Sequence, residues 1–322
     1  MPIRRTGRSL DRALLIALVA APLAIRDAFL IDRLGVMLLL ALVAVSLDLL
    51  WGHGGVLSLG HAFLVGSAGY TVALVSTGRL GPALPIGVSV LVGAGVACAI
   101  SATVAWAGFR GRRPLGTLEF ALLTLALGVI GEQAATRSVF LGGRNGIIIP
   151  GRIALGPLDL HRGASSYALA AASLVLGVLV CRRFLASSMG LVLVAAKDDP
   201  ERIELLGLDV RRARVVACAL AGALAGLAGG LIHAHGSIIT PGSLGIGPST
   251  TMLLWVVLGG RGTLVGPALG AVALESISIA VAGVLLDSWL VVVGLLLIGA
   301  VLFLPDGMMG LLRTSSRDRA TT

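Results

Sequence analysis

The chain has 322 residues, is 57% hydrophobic and only 13% charged, and carries a formal net charge of +9. That composition excludes a soluble globule and places the chain among polytopic membrane proteins. The excess charge is arginine, since Lys197 is the only lysine. The arginines cluster between apolar runs, as the positive-inside rule expects, which argues against a nucleic-acid interface.

A membrane-crossing helix needs about 20 apolar residues. On that measure the sequence predicts an all-α, polytopic membrane protein of about ten transmembrane helices. They fall over residues 13–31, 34–51, 56–77, 82–107, 117–138, 164–182, 212–234, 246–260, 263–285 and 288–305. Arg4, Arg5, Arg8 and Arg12 ahead of the first run mimic a signal peptide, but Pro22 and Arg26 leave no clear cleavage site, so it reads as an uncleaved span. The third and eighth runs are rich in Gly, Ser and His, as broken or re-entrant segments are. Gly222, Gly226, Gly229 and Gly230 mark a helix built for close packing in lipid.

Orientation follows from the loops. Arg4–Arg12, Arg110/Arg112/Arg113, the stretch Arg182–Arg214 and Arg313/Arg317/Arg319 share one side in a ten-span chain. Both termini are therefore predicted to be cytoplasmic. Residues 139–163 would be external, and Arg144, Arg152 and Arg162 strain that assignment. No soluble domain interrupts the chain. We read residues 1–322 as one transmembrane domain with a cytoplasmic loop at 183–211.

That loop is the most charged part of the sequence. Lys197, Asp198, Asp199, Glu201, Arg202, Glu204 and Asp209 cannot sit in hydrocarbon, where each central charge costs about 3 kcal/mol. Ala195–Leu206 has helical character. Pro200 suits a first helical turn, Asp198 or Asp199 suits the cap, and Gly207 suits the end. Ile203 and Leu206 fall on one face. The stretch reads either as a short amphipathic helix that docks a soluble partner or as a plain solvated loop.

Several ionisable residues lie in or beside the apolar runs. Glu119, Arg137 and His235 fall near run ends and read as interfacial, whereas Glu132 and Glu275 sit deeper. Such groups are costly in lipid unless paired or facing a wet cavity. His61 closes the segment Gly54–Ala62, which reads GGVLSLGHA. A Gly/Ser/His segment entering a span is where a helix unwinds and offers backbone groups to a substrate. Packing by glycine is the equally available reading. The candidates for a polar path are Asp48, Ser58, His61, Glu132 and Glu275.

Catalytic and metal signatures are lacking. There is no GxxxxGK[ST], HExxH or GxSxG pattern, and Cys98, Cys181 and Cys218 are scattered. His233 and His235 are spaced unlike helix ligands. The expectation is a chain that is not an enzyme, with no catalytic residues, metal or cofactor of its own. The rival classes are a membrane-embedded enzyme using Glu132, His61 or Glu275, and an ion channel, whose repeats are not seen.

Five segments in order carry a resemblance. Gly55–Ala62 with Tyr70, Gly142–Ile147 (GGRNGI), Ala196–Gly207 followed by Arg211–Arg214, Ala221–Gly230, and Leu258–Gly270 (LGGRGTLVGPALG) are similar to segments of the permease subunits of branched-chain amino-acid ABC importers. The arrangement looks more like the M-type than the H-type subunit. The resemblance implies a bacterial inner-membrane permease that pairs with a second permease subunit. Two cytoplasmic ATPases, which bind the ATP, and an extracytoplasmic binding protein complete the assembly. It also implies that Ala195, Ala196, Asp199, Glu201, Ile203, Glu204, Leu206 and Gly207 couple to the ATPase. Related permeases serve urea, short amides and aromatic acids. Two departures stand out: Asp48 replaces a usual Asn, and Arg202-Ile-Glu204 replaces usual alanines.

Overall fold

The computed structural model describes residues 27–111, 114–150, 154–155, 158–159, 163–282, 294–295, 299 and 307–310. Helix α1 spans Ala28–Asp48 and runs on into a π turn, Leu49–His53. Then come α2 (His61–Ser76), α3 (Ile86–Phe109), α4 (Thr117–Arg137), α5 (Ala164–Leu185), α6 (Ser188–Ala195), α7 (Pro200–Leu205), α8 (Val210–Gly236), α9 (Ile246–Gly259) and α10 (Val265–Ala282). Two-residue strands pair as β1 (Ile147–Ile148) with β4 (Ile238–Ile239), and β2 (Ala154–Leu155) with β3 (Leu158–Asp159), both antiparallel.

Among the described residues, five helices are long and apolar enough to cross a membrane: Phe29–His53, Ile86–Phe109, Thr117–Arg137, Ala164–Leu185 and Val210–Gly236. Three more are apolar but shorter, at His61–Ser76, Ile246–Gly259 and Val265–Ala280. This is the all-α polytopic membrane fold expected. The predicted spans 13–31 and 288–305, and the arginines at 112, 113, 152, 162, 313, 317 and 319, lie wholly or largely outside the described residues. One boundary is corrected: residues 28–31 open α1 rather than closing an earlier span. The Asp27 carboxylate accepts from Phe29 N at 2.9 Å and starts the helix there.

The loops gather at two ends. At one, Thr117 Oγ1 donates to Gly55 O (3.0 Å), Lys197 Nζ to Gly52 O (2.7 Å) and Arg211 Nη1 to Arg110 O (3.4 Å). At the other, Arg79 Nη1 donates to Phe140 O (2.7 Å), Gly163 N to Asp32 Oδ1 (2.7 Å), and Ile147 pairs with Ile239. The helices joining these ends thus alternate in direction, and Arg110 and Arg211 share an end.

Helix α8 is central, packed on α1, α2 and α3. Its glycines explain why. A methyl group at Gly222 would strike Ser101 and the Ala97 carbonyl, one at Gly226 would strike Ala97, and one at Gly229 would strike Val65. Close backbone approach multiplies van der Waals contacts in a lipid setting that offers no hydrophobic driving force. Ser101 Oγ adds an interhelical hydrogen bond to Cys218 O at 2.7 Å.

The helical stretch read over 195–206 is narrower in the structure: a helix starts at Pro200 behind an Asp199 cap, as the sequence suggested, while Ala195 ends a separate helix. Ser187 caps α6 by accepting from Gly190 N, and α6 ends at Ala195. Asp199 is extended (φ −150°, ψ 92°), and its carboxylate accepts from Arg202 N at 3.0 Å to start α7 at Pro200. The break has a physical cause, because proline disfavours a helical conformation at the residue before it. Gly207 leaves the helix with φ +78°, in the left-handed region that glycine enters without strain.

Candidate functional site

Two stretches of unwound backbone meet inside the bundle. The first covers residues 54–60, between the π turn and α2. Its amides find partners outside regular structure: Val56 N donates to Leu50 O (2.9 Å) and Leu59 N to Thr124 Oγ1 (3.1 Å). Just inside α2, Ala62 N donates to Ser249 Oγ at 3.2 Å. Hydroxyls from α4 and α9 thus satisfy donors that would otherwise be orphaned in an apolar interior.

The second stretch covers residues 237–245. Ser237 ends α8 in a left-handed turn (φ 56°), and a 3-10 turn at Pro241–Leu244 leads to Gly245 and α9. Leu244 lies on Gly66 of α2, and its carbonyl lies against Gly128 of α4. Gly128 also faces the Gly60 Cα, so both unwound stretches converge on it. A side chain at Gly60 would run into the Thr124 carbonyl. Gly60→Val is therefore expected to lower the thermal aggregation midpoint in detergent, since overpacking of this kind costs about 1–3 kcal/mol. An unchanged midpoint would contradict the close approach of α2 to α4.

Of the path candidates, Ser58, His61 and Glu132 gather around these stretches. Ser58 lines a small, partly open cleft together with Phe63, Phe120, Thr124, Ser101 and Leu50. The cleft is apolar with three hydroxyls. His61 is fully buried, with Nε2 2.8 Å from Ser46 Oγ. Ser46 Oγ also lies 2.7 Å from Val43 O, and when its hydroxyl proton goes there the imidazole donates from Nε2. Its Nδ1 is buried with no partner. Glu132 is half-buried with its carboxylate against Gly245, at the N-terminus of α9. That helix has no acidic residue in its own first turn, and Glu132 supplies the favourable charge from α4.

Asp48 and Glu275 lie elsewhere. Glu275 is half-buried on α10, within electrostatic reach of Arg33 on α1. Asp48 is fully buried, and both its oxygens are engaged. Oδ1 accepts from Gly262 N (2.7 Å), Oδ2 from Leu264 N (3.0 Å), and His53 Nδ1 is 3.4 Å from Oδ2. The carboxylate clamps the Gly260–Leu264 loop to the π turn, a fixing role rather than the open path position expected. Arg261 lies over the Trp51 ring at 5.0 Å in the same place. Leu264 holds φ +58°, a conformation that costs a non-glycine residue about 1–2 kcal/mol and that the clamp maintains.

The loop residues also divide. Ala196 is buried and Ile203 half-buried, while Ala195, Asp199, Glu201, Glu204, Leu206 and Gly207 are exposed. The apolar side chains open to solvent are Leu206 (69% exposed), Leu208 (44%) and Leu205 (88%); of the expected pair, Leu206 is exposed and Ile203 is half-buried. Sequence reading missed Leu205 because a helix of six residues is too short for its period to separate faces. It missed Thr124 and Ser249 because lone hydroxyls in apolar runs carry no motif.

The comparisons agree with one another. The family described as "Branched-chain amino acid transport system / permease component" matches residues 29–301. The high-affinity branched-chain amino acid transport system permease protein LivM of Escherichia coli K12 is 27% identical over 289 residues, covering 81% of this chain and 65% of its own length. Its Salmonella typhimurium counterpart is 33% identical over 108 residues, covering 34% of this chain and 25% of its own length. The chain thus spans just under two thirds of the first relative. No solved structure matches it significantly. Unwound stretches meeting inside an all-helical bundle, five motifs in family order and a match over most of the sequence lead to one conclusion: the chain belongs to the branched-chain amino acid transport permease family.

Proposed function

We propose that this chain is one of two permease subunits of an ATP-driven importer of branched-chain amino acids. The family is one of transport permeases, not enzymes. In our reading the chain forms part of the translocation path, and two cytoplasmic ATPases bind the ATP. A binding protein outside the inner membrane delivers the substrate. Branched-chain specificity is supported by the names of the family and of both relatives. The observation that carries ATPase coupling is the capped helix α7 with Leu205, Leu206 and Leu208 exposed at the arginine-rich end of the bundle. Apolar side chains on a charged loop outside the lipid call for a protein partner.

Ser58, His61 and Glu132 are the path candidates that this reading keeps. The substrate would pass where residues 54–60 and 237–245 meet, against the neighbouring permease subunit. The test is to purify the tagged chain from its native membrane and identify what accompanies it. Recovery of an ATPase and a second permease is expected, and recovery of neither would overturn the reading.

Topology gives a separate prediction. In a background without native cysteines, an impermeant thiol reagent added outside intact cells should label Arg144→Cys and miss Ser187→Cys. Labelling of Ser187→Cys from outside would reverse the orientation and place α7 beyond reach of a cytoplasmic partner.

A further inference from the structure

The docking segment touches the unwound path at one well-defined place. Lys197, in the turn between α6 and α7, donates from Nζ to the Gly52 carbonyl at 2.7 Å, across 145 residues of sequence. Its stem lies along Gly55, where a side chain would meet Lys197 Cγ at 3.0 Å. Gly55 has φ +67°, so the backbone turns there beneath the lysine. One helical turn before Lys197, Leu193 is fully buried and lies against Gly54. The α6 end and Lys197 together hold residues 52–55, and these open directly into the cleft-lining Ser58 and Gly60.

Gly52 is held from its other side as well. A side chain there would meet the Asp48 carboxylate and Gly262 N. Three segments therefore converge on this glycine: the docking loop, the π turn of α1, and the clamped loop that starts α10. A carbonyl accepting from an ammonium forms a stronger bond than a neutral pair does. It is also a bond that breaks and remakes without covalent change.

We propose that the Lys197 ammonium and the Gly52 carbonyl form the link through which movement of α6–α7 reaches the unwound entrance to α2. Lys197 is thus a positioning residue: it touches neither the substrate nor, by its inward contact, the ATPase. The inference rests on the reading that an ATPase docks on α7. Lys197→Met keeps the stem and removes the donor, whereas Lys197→Arg keeps a donor of similar reach.

The experiment uses the whole complex, reconstituted in vesicles with ATPases and binding protein. Leucine uptake and ATP hydrolysis are measured on the same vesicles. The second readout is the labelling rate of a cysteine at Ser58, with and without ATP, in a background lacking Cys98, Cys181 and Cys218. Lys197→Met should hydrolyse ATP within about twofold of the parent but move at least about tenfold less leucine per ATP. Its Ser58→Cys labelling should no longer respond to ATP. Lys197→Arg should restore both.

Parent-like leucine moved per ATP in Lys197→Met would overturn the link. So would loss of bound ATPase in that variant, which would make Lys197 part of the docking surface. A variant that fails to insert while Lys197→Arg inserts would make the contact a folding element and overturn it too. A parent complex that binds no ATPase would refute the underlying reading instead, and the two failures are told apart by the parent alone.

Discussion

Leu206→Asp and Gly207→Val should each abolish ATP-linked uptake while leaving the chain inserted in the membrane. Leu206 is exposed beside Leu205 at the end of a six-residue helix, and its contacts within the chain are few. Its removal therefore costs the fold little. At an interface, a buried leucine anchor contributes about 2 kcal/mol or more, and a carboxylate in its place must also be desolvated. Gly207 acts through the backbone. A side chain there would meet no atom within 4 Å, so its substitution is not a matter of space. At φ +78° a β-branched residue is strained by about 1–2 kcal/mol, and relief of that strain would swing Leu208 and the start of α8 away. Glu204→Gln, on an exposed charge, should be mild. Uptake and bound ATPase are measured together for each variant. Parent-like transport by both Leu206→Asp and Gly207→Val would make α7 a plain solvated loop.

Asp48→Ala should be the most damaging change inside the bundle. It leaves the amides of Gly262 and Leu264 without their acceptor, and each buried donor so orphaned costs about 1–3 kcal/mol. Release of Leu264 from its strained conformation offsets part of that cost, by about 1–2 kcal/mol. Asp48→Asn should be intermediate. One amide keeps an oxygen acceptor, while the other faces an NH2 group and gains nothing. The thermal aggregation midpoint in detergent should fall in the order Asp48, Asn, Ala. An Asp48→Ala protein with the parent midpoint would show that the loop holds itself.

What the sequence revealed depended on the range of each signal. Helices α3, α4 and α5 were legible because apolar composition over one span is a local property. The cap at Asp199, the proline at position 200 and the positive φ of Gly207 were legible for the same reason. The late start of α2 was one of the two readings that the Gly/Ser/His run left open, and the packing of Gly60 on Thr124 meets the other as well. The π turn at Leu49–His53 was not legible, because nothing in the residues LLWGH separates a π turn from an ordinary helical end. Nor was the clamp: Asp48 and Gly262 lie 214 residues apart, and nothing near Asp48 distinguishes a fixing carboxylate from one facing a path. The same distance argument hid Lys197 on Gly52. Pro200 marked the start of α7, but the separate helix α6 over Ser188–Ala195 was not read, because its apolar residues continue the preceding span without a break in composition.

The most direct test of the importer reading is uptake by vesicles that hold this chain, the second permease subunit and the ATPases. ATP is trapped on the ATPase side, and binding protein with radiolabelled leucine is supplied on the other. The expected result is accumulation above the external concentration that requires ATP and is suppressed by excess isoleucine or valine, but not by urea. Accumulation that is indifferent to ATP, or competed by urea and not by isoleucine or valine, would contradict it.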